Sequence, residues 1–163
     1  MTAYTRPATW DDVVGLARLL RAEEARFALI GGYALAAHGL VRFSEDIDIL
    51  VSPDEENTQR WIRALSKLPD HAASELLGER DLFGGDGPQA IRINDEVTVD
   101  VMAAACGHPW SELERYVEEK EVDGERIPVL SAEGLLLTKE GMRDKDRADA
   151  HALRALLAMK GEP

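Results

Sequence analysis

Along the chain, apolar positions recur with two periods, and each period predicts its own elements. Residues 9–24 carry apolar side chains at Trp10, Val13, Val14, Ala17 and Leu20, with Thr9 and Asp12 in capping-box positions, which predicts an amphipathic helix. Phe27 to Ile30 is a short apolar run ended by Gly31-Gly32, and an alanine-rich helical stretch follows. Then Asp46 and Asp48 alternate with Ile47, Ile49 and Val51, the pattern of a strand with one acidic and one apolar face. Ser52-Pro53-Asp54-Glu55 reads as N-cap serine, proline at the first helical position and glutamate at the third; Trp61, Ile62, Leu65 and Leu68 supply the buried face of that helix and Pro69 its end.

The second half continues as hairpins and helices. Residues 71–82 carry no decisive pattern, and Gly84 to Pro88 is loop by composition. Gln89–Ile93 and Val97–Met102 alternate on either side of Asn94-Asp95-Glu96 and predict a β-hairpin, in which Asp100 faces away from Val97, Val99 and Val101. Should that strand neighbour the acidic one, Asp100 joins Asp46 and Asp48 on one surface. Ser111 with Glu114 predicts a short helix with Leu113, Tyr116 and Val117 on its apolar side, and Glu121–Val129 a smaller hairpin about Asp123-Gly124. Residues 131–159 predict two helical stretches broken near Gly141, with Leu135 to Leu137 buried in the first and Ala152, Ala155, Leu156 and Met159 forming one face of the second. Between them lies the charge cluster Lys139 to Arg147. These elements predict an α/β fold of the α+β type, a mixed and mostly antiparallel sheet with helices packed against it, as a single domain over 1–163.

Composition narrows the function. A formal net charge of -12 argues against a broad basic surface for duplex DNA or an anionic membrane, yet leaves room for a nucleotide in a local pocket. Cys106 is the single cysteine, so there is no internal disulfide and no cysteine-based zinc site; no secretory leader or spanning segment is seen, and the expected compartment is the cytoplasm. Asp46 and Asp48, roughly 7 Å apart along a strand, repel one another. At about 4 Å between head groups the repulsion is on the order of 4 kcal/mol at a surface-like dielectric, which makes a divalent cation the natural occupant. Taken alone, each of these features has an ordinary reading: Gly31-Gly32 as a turn, the aspartates as a solvated face, His38 as a satisfied core or capping histidine, and the 139–147 cluster as a helix junction.

Together and in this order, Gly31-Gly32, a short helix, Arg42, Asp46-Ile47-Asp48 and a later strand aspartate at Asp100 resemble the polymerase-β-like nucleotidyltransferase superfamily. The double glycine with His38-Gly39 and Arg42 is similar to the antibiotic nucleotidyltransferases acting on aminoglycosides and lincosamides, and to the abortive-infection type of toxin–antitoxin systems; the Lys139 cluster resembles a charged motif of the latter. The resemblance spans residues 27 to about 150, and departs from the wider superfamily in having Gly32 where a serine is commoner.

It implies metal-dependent transfer of a nucleoside monophosphate from a nucleoside triphosphate, with pyrophosphate released. Asp46, Asp48 and Asp100 would be catalytic and would hold one or two Mg2+ ions, Asp100 also lying beside the acceptor hydroxyl. Gly31 and Gly32 would admit the phosphates to backbone N–H groups, and Arg42 and Lys139 would neutralise them. The acceptor is left open between a small molecule, tRNA and protein, no membrane is involved, and a protein partner is allowed. The competing expectation is a non-catalytic module of the same fold, an antitoxin or regulator.

Overall fold

In the computed structural model the described residues are 5–40, 43–84, 90–139 and 144–160. Helix α1 (Trp10–Ala22) starts with the expected capping box: the Asp12 N–H is held by the Thr9 side chain, and Asp12 accepts from the Thr9 N–H at 2.8 Å. Strand β1 (Phe27–Ile30) passes without a loop into α2 (Gly31–Ala37). The acidic strand is β2 (Ile47–Val51), followed by α3 (Glu55–Leu65). After a 3-10 turn at Ala72–Leu76 come the hairpin β3 (Ala90–Asn94) and β4 (Thr98–Met102), and a two-residue ladder, β5 (Ala104–Ala105) with β6 (His108–Pro109). Helix α4 (Trp110–Leu113), strands β7 (Val117–Val122) and β8 (Glu125–Leu130), and helices α5 (Ala132–Leu137) and α6 (Asp144–Lys160) complete the chain.

Six strands form one mixed sheet in the order β3-β4-β2-β1-β8-β7. Three of its pairs are antiparallel, and β2·β4 and β1·β8 are parallel. All four residues of β1 are buried, as are Ile47, Ile49, Leu50 and Val51 of β2, so both faces of the sheet centre are covered. Such strands carry continuous apolar runs because neither face meets water. The helices pack chiefly in two groups, α1 with α3 and α2 with α5, which in turn contacts α6. Trp61, Leu20, Leu29 and Ile62 are among the largest side chains fully removed from solvent.

The structure corrects several local expectations. Asp54, not Ser52, caps α3: its carboxylate accepts from the Asn57 N–H at 2.8 Å, and Ser52 donates its hydroxyl to Asp54 at 2.6 Å. An aspartate next to the helix start outcompetes a serine two residues further away. The helix also ends at Leu65, short of Pro69. Helix α4 begins at Trp110 without a side-chain cap, so Ser111 is no N-cap, and Val117 already belongs to a strand. The Asp123-Gly124 hairpin is longer than expected, running over residues 117–130, and its β8 joins the main sheet beside β1. Among the described side chains of α6 the buried ones are Asp146, Asp149, Ala150 and Leu153, whereas Ala155 and Met159 face solvent, Met159 being 77% exposed. Two inward aspartates thus rotate the buried face away from the stripe that hydrophobicity alone suggests. The Gly141 break falls outside the described residues, as does most of the Gly84 to Pro88 loop. No helix among the described residues is long and apolar enough to cross a membrane.

Candidate active site

Strand register brings the predicted carboxylates together. Because β2 and β4 are parallel, Asp48 lies directly beside Asp100; Asp46, expected on the strand, instead sits in the bend just before β2 begins at Ile47, and lines the same cleft. On the other flank β1 runs antiparallel to β2 and pairs Ile30 with Asp48, so the β1-to-α2 turn falls at the same place. Gly31 there has φ +72°, and a Cβ on it would come within 2.9 Å of the Asp48 carboxyl carbon. Only glycine suits both the left-handed backbone and this close approach. The positive φ that the turn requires is therefore at Gly31; Gly32 lies within α2. Helix α2 is held by Tyr33, whose hydroxyl donates to the Ala8 carbonyl at 2.6 Å while its ring packs edge-on to Trp10 at 4.9 Å.

Lys139 arrives from the far end of the chain. Ser131 caps α5, its hydroxyl accepting from the Gly134 N–H at 3.2 Å, and Gly134 lets the helix seat against Leu130 and Tyr116, where a Cβ would meet side-chain carbons at 2.7 Å. Lys139 follows one turn beyond α5, with its side chain 12% exposed and its Nζ 3.2 Å from Asp149 and 3.8 Å from Asp146. It is not a surface lysine. Gly31, Gly32, Phe43, Ser44, Glu45, Asp46, Asp48, Arg92, Asp100 and Lys139 line one cleft of about 500 Å³. Arg42 lies outside the described residues.

Arg92 escapes a reading of motifs. Its Nε donates to Asp100 Oδ1 at 2.9 Å and its Nη2 to Asp100 Oδ2 at 3.2 Å, while Nη2 stands 3.5 Å from Asp46 Oδ2. Counting back from the hairpin turn was the available signal, since the register pairs Asn94 with Thr98, Ile93 with Val99 and Arg92 with Asp100. His38 is a core histidine, only partly satisfied: it is buried, its Nε2 is bonded to the Leu130 carbonyl at 2.9 Å while its Nδ1 has no hydrogen-bond partner among the described residues, it is absent from the cleft lining, and burial lowers its pKa.

Electrostatically the cleft is short of positive charge. Asp48 has its pKa pushed up to about 7, first by burial and then by the facing Asp100, with Asp46 adding to the effect and Lys139 opposing it. A carboxylate so destabilised by other carboxylates, in a cleft lined by hard oxygen donors, suits a hard divalent cation such as Mg2+. No group of three acidic, histidine or cysteine side chains is already gathered for a metal among the described residues. Both oxygens of Asp100 are engaged by Arg92 instead. A hollow of about 550 Å³ opens at the opposite end of β1 and β2 around Arg26, Ser52 and Trp110. There Arg26 is bonded to Asp54 at 2.9 Å and to Ser52 at 3.1 Å, so it offers no comparable uncompensated charge.

Comparison with known proteins agrees with this geometry. No curated protein matches the chain. Among solved structures, a presumptive nucleotidyltransferase from Thermotoga maritima superposes with a TM-score of 0.59 at 19% identity, covering 92% of each chain. The lincomycin-bound lincosamide adenylyltransferase LnuA superposes with a TM-score of 0.60 at 18% identity, covering 92% of this chain and 99% of its own. A nucleotidyltransferase-like antigenic protein from Paracoccidioides brasiliensis gives 0.50 at 19%, over 92% of this chain and 78% of its own. At such identities these likenesses speak for the fold. The family model described as nucleotidyl transferase AbiEii toxin, type IV toxin–antitoxin system, matches residues 16–139, a span that holds the whole cleft lining, and the chain belongs to that family.

Proposed function

We infer that the chain transfers a nucleoside monophosphate from a nucleoside triphosphate to an acceptor hydroxyl or phosphate, releasing pyrophosphate, with Mg2+ held by Asp46, Asp48 and Asp100. The observation that carries this reading is the parallel register of Asp48 with Asp100 against the Gly31 turn, in a cleft that also contains Lys139. Family membership implies the triphosphate as substrate and, from the toxin–antitoxin class, an antitoxin as partner.

Bound Mg2+ would supply Lewis-acid charge stabilisation to the phosphoryl oxygens. The remaining work falls to the chain. Backbone N–H groups at the start of α2 have no partner inside the helix and are available to phosphate oxygens. Lys139, fixed by Asp146 and Asp149, offers a positioned charge to the triphosphate or the departing pyrophosphate. Asp100, which is 15% exposed, is the carboxylate we assign to accept the acceptor's proton as the new bond to the α-phosphorus forms and the bond to pyrophosphate breaks. Arg42 is kept as a phosphate-binding residue on the resemblance alone.

The test is incubation with each α-labelled triphosphate, Mg2+ and a cell extract, followed by identification of whatever carries label: small molecule, tRNA or protein. Metal-dependent labelling of one acceptor is expected. Failure to label anything, with no triphosphate-dependent thermal shift in Mg2+, would instead mark a non-catalytic module.

A further inference from the structure

The acidic cleft already contains an exposed cation. Arg92 makes a forked contact with both oxygens of Asp100 and approaches Asp46, yet its own side chain is 60% exposed on edge strand β3. Lys139 differs in kind, being 12% exposed and pinned between two aspartates of α6. A guanidinium and a divalent cation at the same carboxylate repel each other and draw on the same oxygens, so each weakens the other's hold on it. While Arg92 holds Asp100, that carboxylate is also poorly placed to accept a proton from an incoming hydroxyl.

We propose that Arg92 is an exchangeable counter-ion of the reaction: it holds Asp46 and Asp100 in the nucleotide-free protein, yields them to Mg2+ when the triphosphate enters, and then donates to the phosphate oxygens of that triphosphate. The inference rests on the metal-dependent reading above. Its chemistry is balanced by charge, since the metal replaces the arginine at the carboxylates and the triphosphate replaces the carboxylates at the arginine. The planar fork that fits Asp100 also fits two phosphate oxygens. Arg92 is the exposed partner in this pair, at 60% against 15% for Asp100, so it is the side chain with room to leave.

The consequence is a pair of effects with opposite sign. Without nucleotide, Arg92→Ala should bind Mn2+ about fivefold more tightly than wild type, because an exposed ion pair no longer competes. The same variant should bind the Mg2+–triphosphate about tenfold more weakly, having lost a charged fork to phosphate. Arg92→Lys should fall between wild type and Arg92→Ala in both, as a point charge without the fork, and it guards against a folding defect in the alanine variant. Mn2+ affinity is read by electron paramagnetic resonance and triphosphate affinity by calorimetry. Unchanged or weaker Mn2+ binding in both variants overturns the exchange, as does tighter Mn2+ binding with unaltered triphosphate affinity. Absence of Mn2+ binding in wild type and variants alike removes the metal reading itself and the exchange with it.

Discussion

Replacing Asp48 with Asn should make the metal-free protein more stable, which is an unusual expectation for a half-buried residue of a candidate active site. Asp48 is ionised in the fold only at a cost, its pKa standing at about 7 against 3.8 for an ordinary aspartate. The native state therefore binds the proton more strongly than the unfolded chain between those values, and stability falls as pH rises through that window. The advantage of the neutral form is complete below about pH 4 and gone once pH has passed about 7. At about 1.4 kcal/mol per pKa unit, the shift sets a ceiling of about 4 kcal/mol; the partial exposure of Asp48 to solvent brings the expectation to about 1–3 kcal/mol. Urea unfolding in EDTA from pH 4 to pH 8 measures it. Asp48→Asn should match or slightly exceed wild type at pH 4, gain progressively to pH 7 and stay ahead above it, while losing the stabilisation that Mg2+ gives wild type. A variant less stable at pH 8, or a gap that ignores pH, would refute the account of Asp48 as a carboxylate strained by burial and by Asp100.

Three further outcomes follow from the same geometry. Gly31→Ala should cost about 1–2 kcal/mol in unfolding free energy, from its left-handed backbone, and should weaken triphosphate binding by displacing Asp48; equal stability and affinity would show the turn to be permissive. Lys139→Ala should lose about 3 kcal/mol of stability, because Asp146 and Asp149 lose their buried cation, and should also depress turnover, with Lys139→Arg recovering part of each in urea and transfer assays. Asp95 is the counter-example: it is 1% exposed and accepts the N–H groups of Asp70, Ala72 and Glu96 at 2.8–2.9 Å. Asp95→Ala should cost about 2–4 kcal/mol with Mn2+ affinity unchanged per folded molecule, whereas lost Mn2+ binding would place Asp95 in the site.

Much of the candidate site is legible in the chain because its residues are placed by local patterns. Period-two alternation placed Asp46 with Asp48, and Asp100 opposite its valines, before any strand was paired. What alternation does not contain is which strands are neighbours. The adjacency of β2 and β4, the inclusion of β8 beside β1 and the arrival of Lys139 at the cleft are all long-range facts. Arg92 was hidden for a related reason, since a lone arginine on an exposed edge strand carries no local mark until register sets it against Asp100. The apolar stripe of α6 misled because Asp146 and Asp149 face inward for charge pairing with Lys139, and a hydrophobicity pattern treats such residues as outward. At α3 the residue types pointed to Ser52 as cap, and only the backbone path shows that the Asp54 carboxylate is the group that reaches the Asn57 N–H.

The central claim is that Asp48 and Asp100 support nucleotidyl transfer, and it is tested most directly by measuring pyrophosphate release and label incorporation together. Wild-type protein with Mg2+, α-labelled triphosphate and the labelled acceptor found in extract should release one pyrophosphate for each nucleotide incorporated, while Asp48→Asn and Asp100→Asn, folded by circular dichroism, should do neither. Equal rates in wild type and both variants, or pyrophosphate release with no incorporation into any acceptor, would contradict it.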